Sequence, residues 1–313
     1  MAAQHRATAT GTGRSLARSR PRYGEAAIKV VLMLAALVSV ATTLAIVAAL
    51  AEPTIEFFAT VSIAEFFGST TWGPLFNPPS FGVWPIIVGT LEVTVIAMIV
   101  AVPLGLASAI YLSEYATPRV RKIFKPVLEV LAGVPTVVFG FFALVFVTPL
   151  LQQIFPFLNL EPRNALSAGL LVGIMIIPII ASMAEDSMAA VPNGLREGSY
   201  ALGASKMLTS VRVVVPAAFS GIVAAVILAF SRAAGETMIV VLAAGAKPVF
   251  TVNPANEMAT MASFIASAGS GDLPVGSIGY KTIFAVGALL FILTFAMNWI
   301  SARLVQKYRE VYD

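Results

Sequence analysis

Six apolar runs of a length that a bilayer demands constrain this chain more than any motif does. They are Ile28 to Ala51, Pro85 to Tyr111, Val127 to Leu151, Leu166 to Met183, Val213 to Leu242 and Thr282 to Ala302. A hydrocarbon layer about 30 Å thick is crossed by about 20 helical residues, and within it only helices and closed barrels satisfy their own backbone. The remaining composition agrees, since 58% of the 313 residues are hydrophobic and 12% are charged, where a soluble domain carries about 25% charged residues. The expected fold class is therefore an all-α membrane protein with six transmembrane helices. The first run exceeds the apolar region of a secretory leader, so it is read as an uncleaved span.

The basic residues give the expected topology. Residues 1–27 form a basic arm expected to be disordered, ahead of a membrane domain over 28–313. Six Lys and Arg lie in the arm up to Lys29, four in the 112–126 loop, three in the 184–212 loop and three in the tail. The opposite loops hold only Arg163, Lys247 and Lys281. This bias places the arm, the 184–212 loop and both termini in the cytoplasm of a bacterial plasma membrane. The net charge of +4 is thus topological, and nucleic acid is not an expected partner. With no cysteine and a single histidine, His5, neither a Cys/His metal site nor Cys or His catalysis is expected.

Between the fourth and fifth runs lies a polar island, Arg196 to Lys206, which continues into Val213, Val215 and Pro216. Glu197 to Leu208 can make about three helical turns with Leu195, Leu202, Ala201 and Ser205 near one another. A helix so short is marginal in water unless its apolar face lies in a partner's groove. The small residues Gly198, Ser199 and Gly203 would permit that close approach.

Three features set charge or a helix breaker inside the apolar runs. Arg232 stands in the fifth run with Glu236 four residues later, a spacing that would put both on one helical face as an ion pair. An arginine at a helix centre costs about 2.5–3.5 kcal/mol on insertion, and the pair is either a structural lock or part of an anion path in which the guanidinium replaces water. Ser231 and Thr237 flank it. Glu92 and Glu129, in the second and third runs, are weaker candidates for the same path. Pro135, in the third run, would free a backbone carbonyl and so favours a helix facing the protein interior.

Together these segments resemble a known family. Ser231 to Met238, Leu131 to Phe142, Ile174 to Ile180 and the loop are similar to the phosphate-specific ABC importer permeases of the PstC type, across about Pro85 to Arg309. The family's loop motif runs Glu-Ala-Ala, three residues, Gly, nine residues, then Ile-x-Leu-Pro. Here it reads Glu197-Gly198-Ser199, Gly203, Val213, Val215 and Pro216. Gly198-Ser199 in place of Ala-Ala departs from the pattern and lowers helix propensity.

The resemblance implies a type I ABC importer permease fold whose loop is a coupling helix, with Glu197, Gly198, Ser199, Gly203 and Pro216 engaging an ATPase. It implies a PstA-like sister permease, a PstB-like ATPase dimer and a PstS-like phosphate-binding protein, with Arg232 and Glu236 important for transport. No phosphate-binding loop of the form Gly-x4-Gly-Lys-Ser/Thr occurs here, so this chain is expected to be a transport subunit without a cofactor, its ATP-Mg bound by the separate ATPase. The alternatives are a permease for another oxyanion (phosphonate, molybdate or sulfate) and an ATP-independent channel or secondary transporter.

Overall fold

The computed structural model describes residues 23–308. Most of the basic arm and Arg309 lie outside the described residues. The chain divides into one unit ending at Ala48 and a second beginning at Ala49. The first holds the opening part of α1 (Tyr23–Thr60), whose side chains from Ile28 to Val47 are exposed. The second holds everything after it.

In the second unit the end of α1 and α2 (Ile63–Gly68) lead to a two-stranded hairpin, β1 (Trp72–Gly73) antiparallel to β2 (Ser80–Phe81). Phe57, Phe66, Trp72 and Phe81 meet edge to face beneath it, so aromatic packing holds a hairpin too short to stand alone.

Two long helices form the frame. α3 (Trp84–Ile110) opens with Pro85 in its first turn, where a missing N–H costs nothing, and continues as one wider turn over Tyr111–Tyr115. After α4 (Pro118–Ala132), α5 (Thr136–Phe142) and α6 (Thr148–Ile154) comes α7 (Ala165–Ala189), capped by Asn164. α3 and α7 approach closely because glycine lines their seam. A Cβ on Gly169 would stand 2.7 Å from the Ile96 Cβ, and one on Gly173 would stand 2.9 Å from the Ala97 carbonyl oxygen. Small residues at helix contacts are the means by which membrane helices gain dispersion energy.

The chain continues through α8 (Asn193–Ala201), α9 (Lys206–Thr209), α10 (Val215–Ala217), α11 (Phe219–Ala234), α12 (Met238–Ala243) and α13 (Met261–Gly269) to α14 (Ile278–Tyr308). The hairpin lies at one end of the bundle and α8 at the other, called here the hairpin end and the loop end. Among the described residues five helical segments are long and apolar enough to cross a membrane, Ala27–Thr60, Trp84–Tyr115, Thr136–Ile154, Ala165–Ala189 and Ile278–Lys307. The bent pair α9–α10 and α11 makes a sixth.

Two expectations are corrected. The apolar run from Val127 is not one helix: α4 stops at Ala132, and Pro135, with φ −56° and ψ 130°, precedes α5 instead of lying inside it. The proline ring cannot continue the helix and pushes Val134 out of the α region. Glu129 therefore falls on α4, exposed. The fourth run extends beyond Met183, so Glu185 and Asp186 belong to the last turns of α7.

The α3–α7 seam gives a direct test. Gly173→Leu is expected to destabilise the detergent-solubilised protein by about 1–3 kcal/mol through overpacking, whereas Gly269→Ala, where a Cβ meets nothing within 4 Å, leaves the thermal midpoint unchanged. Equal midpoints for both variants would show that the seam is not closely packed.

Candidate functional site

The fifth apolar run is broken twice. Pro216 lies in α10, its ring set against the carbonyl of Arg212, and the chain passes through a wide turn at Ser210–Val214. It then bends by 72° at Ala218 into α11. A second break, Gly235 to Thr237, separates α11 from α12.

That second break overturns the expected ion pair. Arg232 sits in the last turn of α11 and Glu236 beyond its end, so the four-residue spacing no longer places them on one face. Glu236, only 8% exposed, turns its Oε1 to accept from the amides of Met238 (3.2 Å) and Ile239 (3.4 Å). These are orphan donors at the start of α12, where a carboxylate also meets the favourable end of the helix dipole. Arg232 is exposed and, among the described residues, makes neither a hydrogen bond nor an ion pair. The Ser231 hydroxyl donates to Asn298 Oδ1 on α14 at 2.9 Å, and the Thr237 hydroxyl turns back to the Gly235 carbonyl at 3.2 Å. The structure thus places Ser231 beside Arg232 on a polar tie to α14, while Glu236 and Thr237 serve the break.

Depth follows from helix geometry. Val223 of α11 shares a cavity with Leu304 of α14, next to the charged Arg303. Arg232 is nine residues further along α11 and follows Ser231, which bonds Asn298 on α14, so it lies inside the hydrocarbon layer, in the half towards the loop end. Glu92 lies about two turns into α3 from its hairpin end, with both carboxylate oxygens buried and unpartnered among the described residues.

At the loop end, the expected single helix over Glu197 to Leu208 is two helices meeting at Gly203. The Ala204 amide donates to the Ser199 carbonyl (3.2 Å) and the Gly203 amide to the Tyr200 carbonyl (2.9 Å), with Gly203 at φ +80°. This is a left-handed glycine cap closing α8. The Ser199 hydroxyl bonds that of Thr209 at 2.9 Å across the corner, so the departure from Ala-Ala supplies a tie that an alanine could not. Glu197, Gly198, Leu202 and Met207 point outward, with Leu202 90% and Met207 70% exposed. A Cβ at Gly198 would meet nothing within 4 Å. Nothing in this chain demands a small residue there.

Arg196, whose role the sequence reading does not assign, fastens this loop. Its Nη2 reaches Glu114 Oε1 (2.9 Å) beyond the end of α3 and the Met188 carbonyl (2.8 Å) of α7, while Nη1 reaches the Val191 carbonyl (2.5 Å). A planar fork with five donors fits such a set, and a lysine does not. Lys206 stacks over Tyr115 at 5.0 Å. Beside this clamp Arg121 and Lys125 of α4 pair with the buried Glu185, and Lys125 also with Asp186 at 2.5 Å. The hydrogen bond to Asp186, aided by the bond and charge of Glu185 and opposed by burial, raises the Lys125 pKa above its usual value. A raised lysine pKa stabilises the fold below the unfolded value and loses that contribution only as pH climbs through the folded one, so this tie holds throughout the neutral range.

Comparison with known proteins places the arrangement. Residues 101–310 match the family model for the binding-protein-dependent transport system inner membrane component. The chain belongs to that family. It is 35% identical over 281 residues to a probable ABC transporter permease, YqgH, of Bacillus subtilis, covering 89% of this chain and 90% of the relative. It is 34% identical over 278 residues to the phosphate transport system permease protein PstC 1 of Mycobacterium tuberculosis, covering 78% and 82%. Among solved structures it resembles a chain of a bacterial ABC transporter that imports alginate, with a TM-score of 0.60 at 14% identity over 93% of this chain and 100% of that one. A chain of the MetNI methionine transporter follows with a TM-score of 0.52 at 20% identity, covering 73% and 95%. As a family member the chain is a membrane transport component with the importer permease fold, not an enzyme.

The clamp is testable in this subunit alone. Arg196→Lys keeps the charge but cannot span Glu114 and two carbonyls, and it is expected to speed hydrogen exchange at amides 193–209 while α3 and α7 stay protected. Unchanged exchange in the loop would show that Arg196 does not hold it.

Proposed function

We propose that this chain is one permease half of an ATP-driven importer of inorganic phosphate, forming the translocation path with a sister permease. The observation that carries the reading is Arg232: a guanidinium inside a membrane span, exposed and without a partner among the described residues. Lipid is an expensive neighbour for such a group, whereas a face shared with a second permease and filled by water or anion is not. A fork of N–H donors suits a phosphate oxyanion. Similarity to several PstC proteins at 32–34% identity supports phosphate over other oxyanions.

In this reading the partners are a PstA-like permease, a PstB-like ATPase dimer holding ATP-Mg beneath the loop, and a PstS-like phosphate-binding protein at the hairpin end. Similarity over 52% of the chain to a PstA protein suits a paired sister subunit. The loop end and both termini face the cytoplasm, following the basic bias. Glu197, Gly198, Gly203 and the exposed Leu202 and Met207 dock the ATPase, with Ser199 and Pro216 shaping the surface. An ATP-independent channel would have no use for an outward apolar corner at Leu202 and Met207.

Two experiments in proteoliposomes holding the complete complex test this. Arg232→Gln is expected to lower phosphate uptake by about tenfold or more, the worth of one charge-assisted hydrogen bond, with assembly intact because a neutral amide is easier to keep in a membrane. Normal uptake by this variant would make Arg232 structural. Gly198→Trp fits its own chain but obstructs a docked partner, so it is expected to abolish ATPase association without loss of the folded permease. Retained association would remove the loop from the docking surface.

A further inference from the structure

Asn298 is a polar side chain on a membrane span that the Arg232 reading leaves unused. It lies on α14 between Lys281 and Arg303, a stretch about 33 Å long at 1.5 Å per residue, the thickness of a hydrocarbon layer with its boundaries marked by charge. Asn298 is five residues before Arg303, so about 7–8 Å inside that layer. Its side chain is exposed.

An asparagine amide offers two N–H donors and two acceptor lone pairs. The Ser231 hydroxyl uses one acceptor at 2.9 Å, and among the described residues no other partner is supplied. Left against lipid, the free donors would each carry a desolvation cost. The bond to Ser231, the neighbour of Arg232 in sequence, brings them next to that residue in space. Leu228, Arg232 and Gly235 recur at helical spacing along the exposed face of α11, and Ser231, half-buried, flanks that face on the side of α14. The Asn298 amide and the Arg232 guanidinium are therefore both exposed and joined through Ser231, on surface that no described residue covers.

We propose that Asn298 is a second ligand of the translocated oxyanion, donating from Nδ2 beside Arg232 while Ser231 fixes the amide's orientation. The inference rests on Arg232 lining the path. A tetrahedral oxyanion presents more acceptor positions than one fork can occupy, and it must shed water to pass. A neutral donor replaces some of that water without adding a second positive charge, which keeps binding escapable, as conduction requires. Glu236, engaged with the amides of α12, does not provide that balance.

The test uses the complete complex with sister permease, ATPase and binding protein in proteoliposomes, and reads assembly by pull-down alongside the rate and half-saturation of radiolabelled phosphate uptake. Asn298→Leu is expected to assemble and to lose uptake by about tenfold. Asn298→Asp, of the same size but with a carboxylate facing the anion, is expected to lose more, and Ser231→Ala less. If both Asn298 variants transport normally while Arg232→Gln does not, the inference is wrong and the path stands. If Arg232→Gln also transports normally, the path itself is wrong. Loss of assembly in both Asn298→Leu and Ser231→Ala would reduce the pair to a tie between α11 and α14, and overturn the proposal.

Discussion

Inside a bilayer a backbone that leaves the helix must find its hydrogen-bond partners within the protein, and this chain leaves the helix at mid-span between Gly235 and Thr237. The carboxylate of Glu236 makes that possible. By accepting from the Met238 and Ile239 amides it closes the exposed start of α12, much as a capping aspartate does in water but with a larger penalty for failure. Because α12 can begin there, Gly140 of α5 can pack against its backbone, where a Cβ would stand 3.1 Å from the Met238 carbonyl oxygen. Because α11 ends there, Arg232 is released from the face it would have shared with Glu236. One carboxylate thus decides both how the third and fifth spans meet and what the arginine is free to bind.

The other fixed point is the α3–α7 frame, and Arg196 ties the loop to both of its helices at once. Glu114 follows α3, and the carbonyls of Met188 and Val191 belong to α7 and its exit. Any displacement of α8 is therefore delivered to two spans that are already interlocked by the Gly169 and Gly173 contacts. The ion pairs of Arg121 and Lys125 with Glu185 bring α4 into the same assembly. Coupling through named contacts of this kind is a physical statement that a shared sequence motif does not make.

Much of this was legible in the sequence because hydropathy and spacing report length and class directly. The apolar runs and the family's loop spacing needed no structure. The breaks were hidden for a specific reason: Gly235 and Pro135 sit within runs whose overall length and hydropathy suit a continuous span, and hydropathy does not register where a helix stops. The Arg232–Glu236 pairing assumed unbroken helical periodicity and failed with it. Arg196 and Glu114, 82 residues apart, carried only a faint signal, two charges at the ends of adjacent spans. Asn298 carried almost none, since its meaning depends on Ser231 lying across from it.

The bend at Ala218 has a mechanical consequence. With α9–α10 and α11 set at 72°, a displacement along the first arm projects less than a third of its length onto the second, and nearly all of it appears as sideways travel. A rigid pair set at this angle would act as a bell crank, turning thrust at the loop into a sweep of the far arm across the bundle. The sweep grows with distance from the pivot. Ser220 near the corner is carried little, and the residues of the last turn of α11 describe the widest arc.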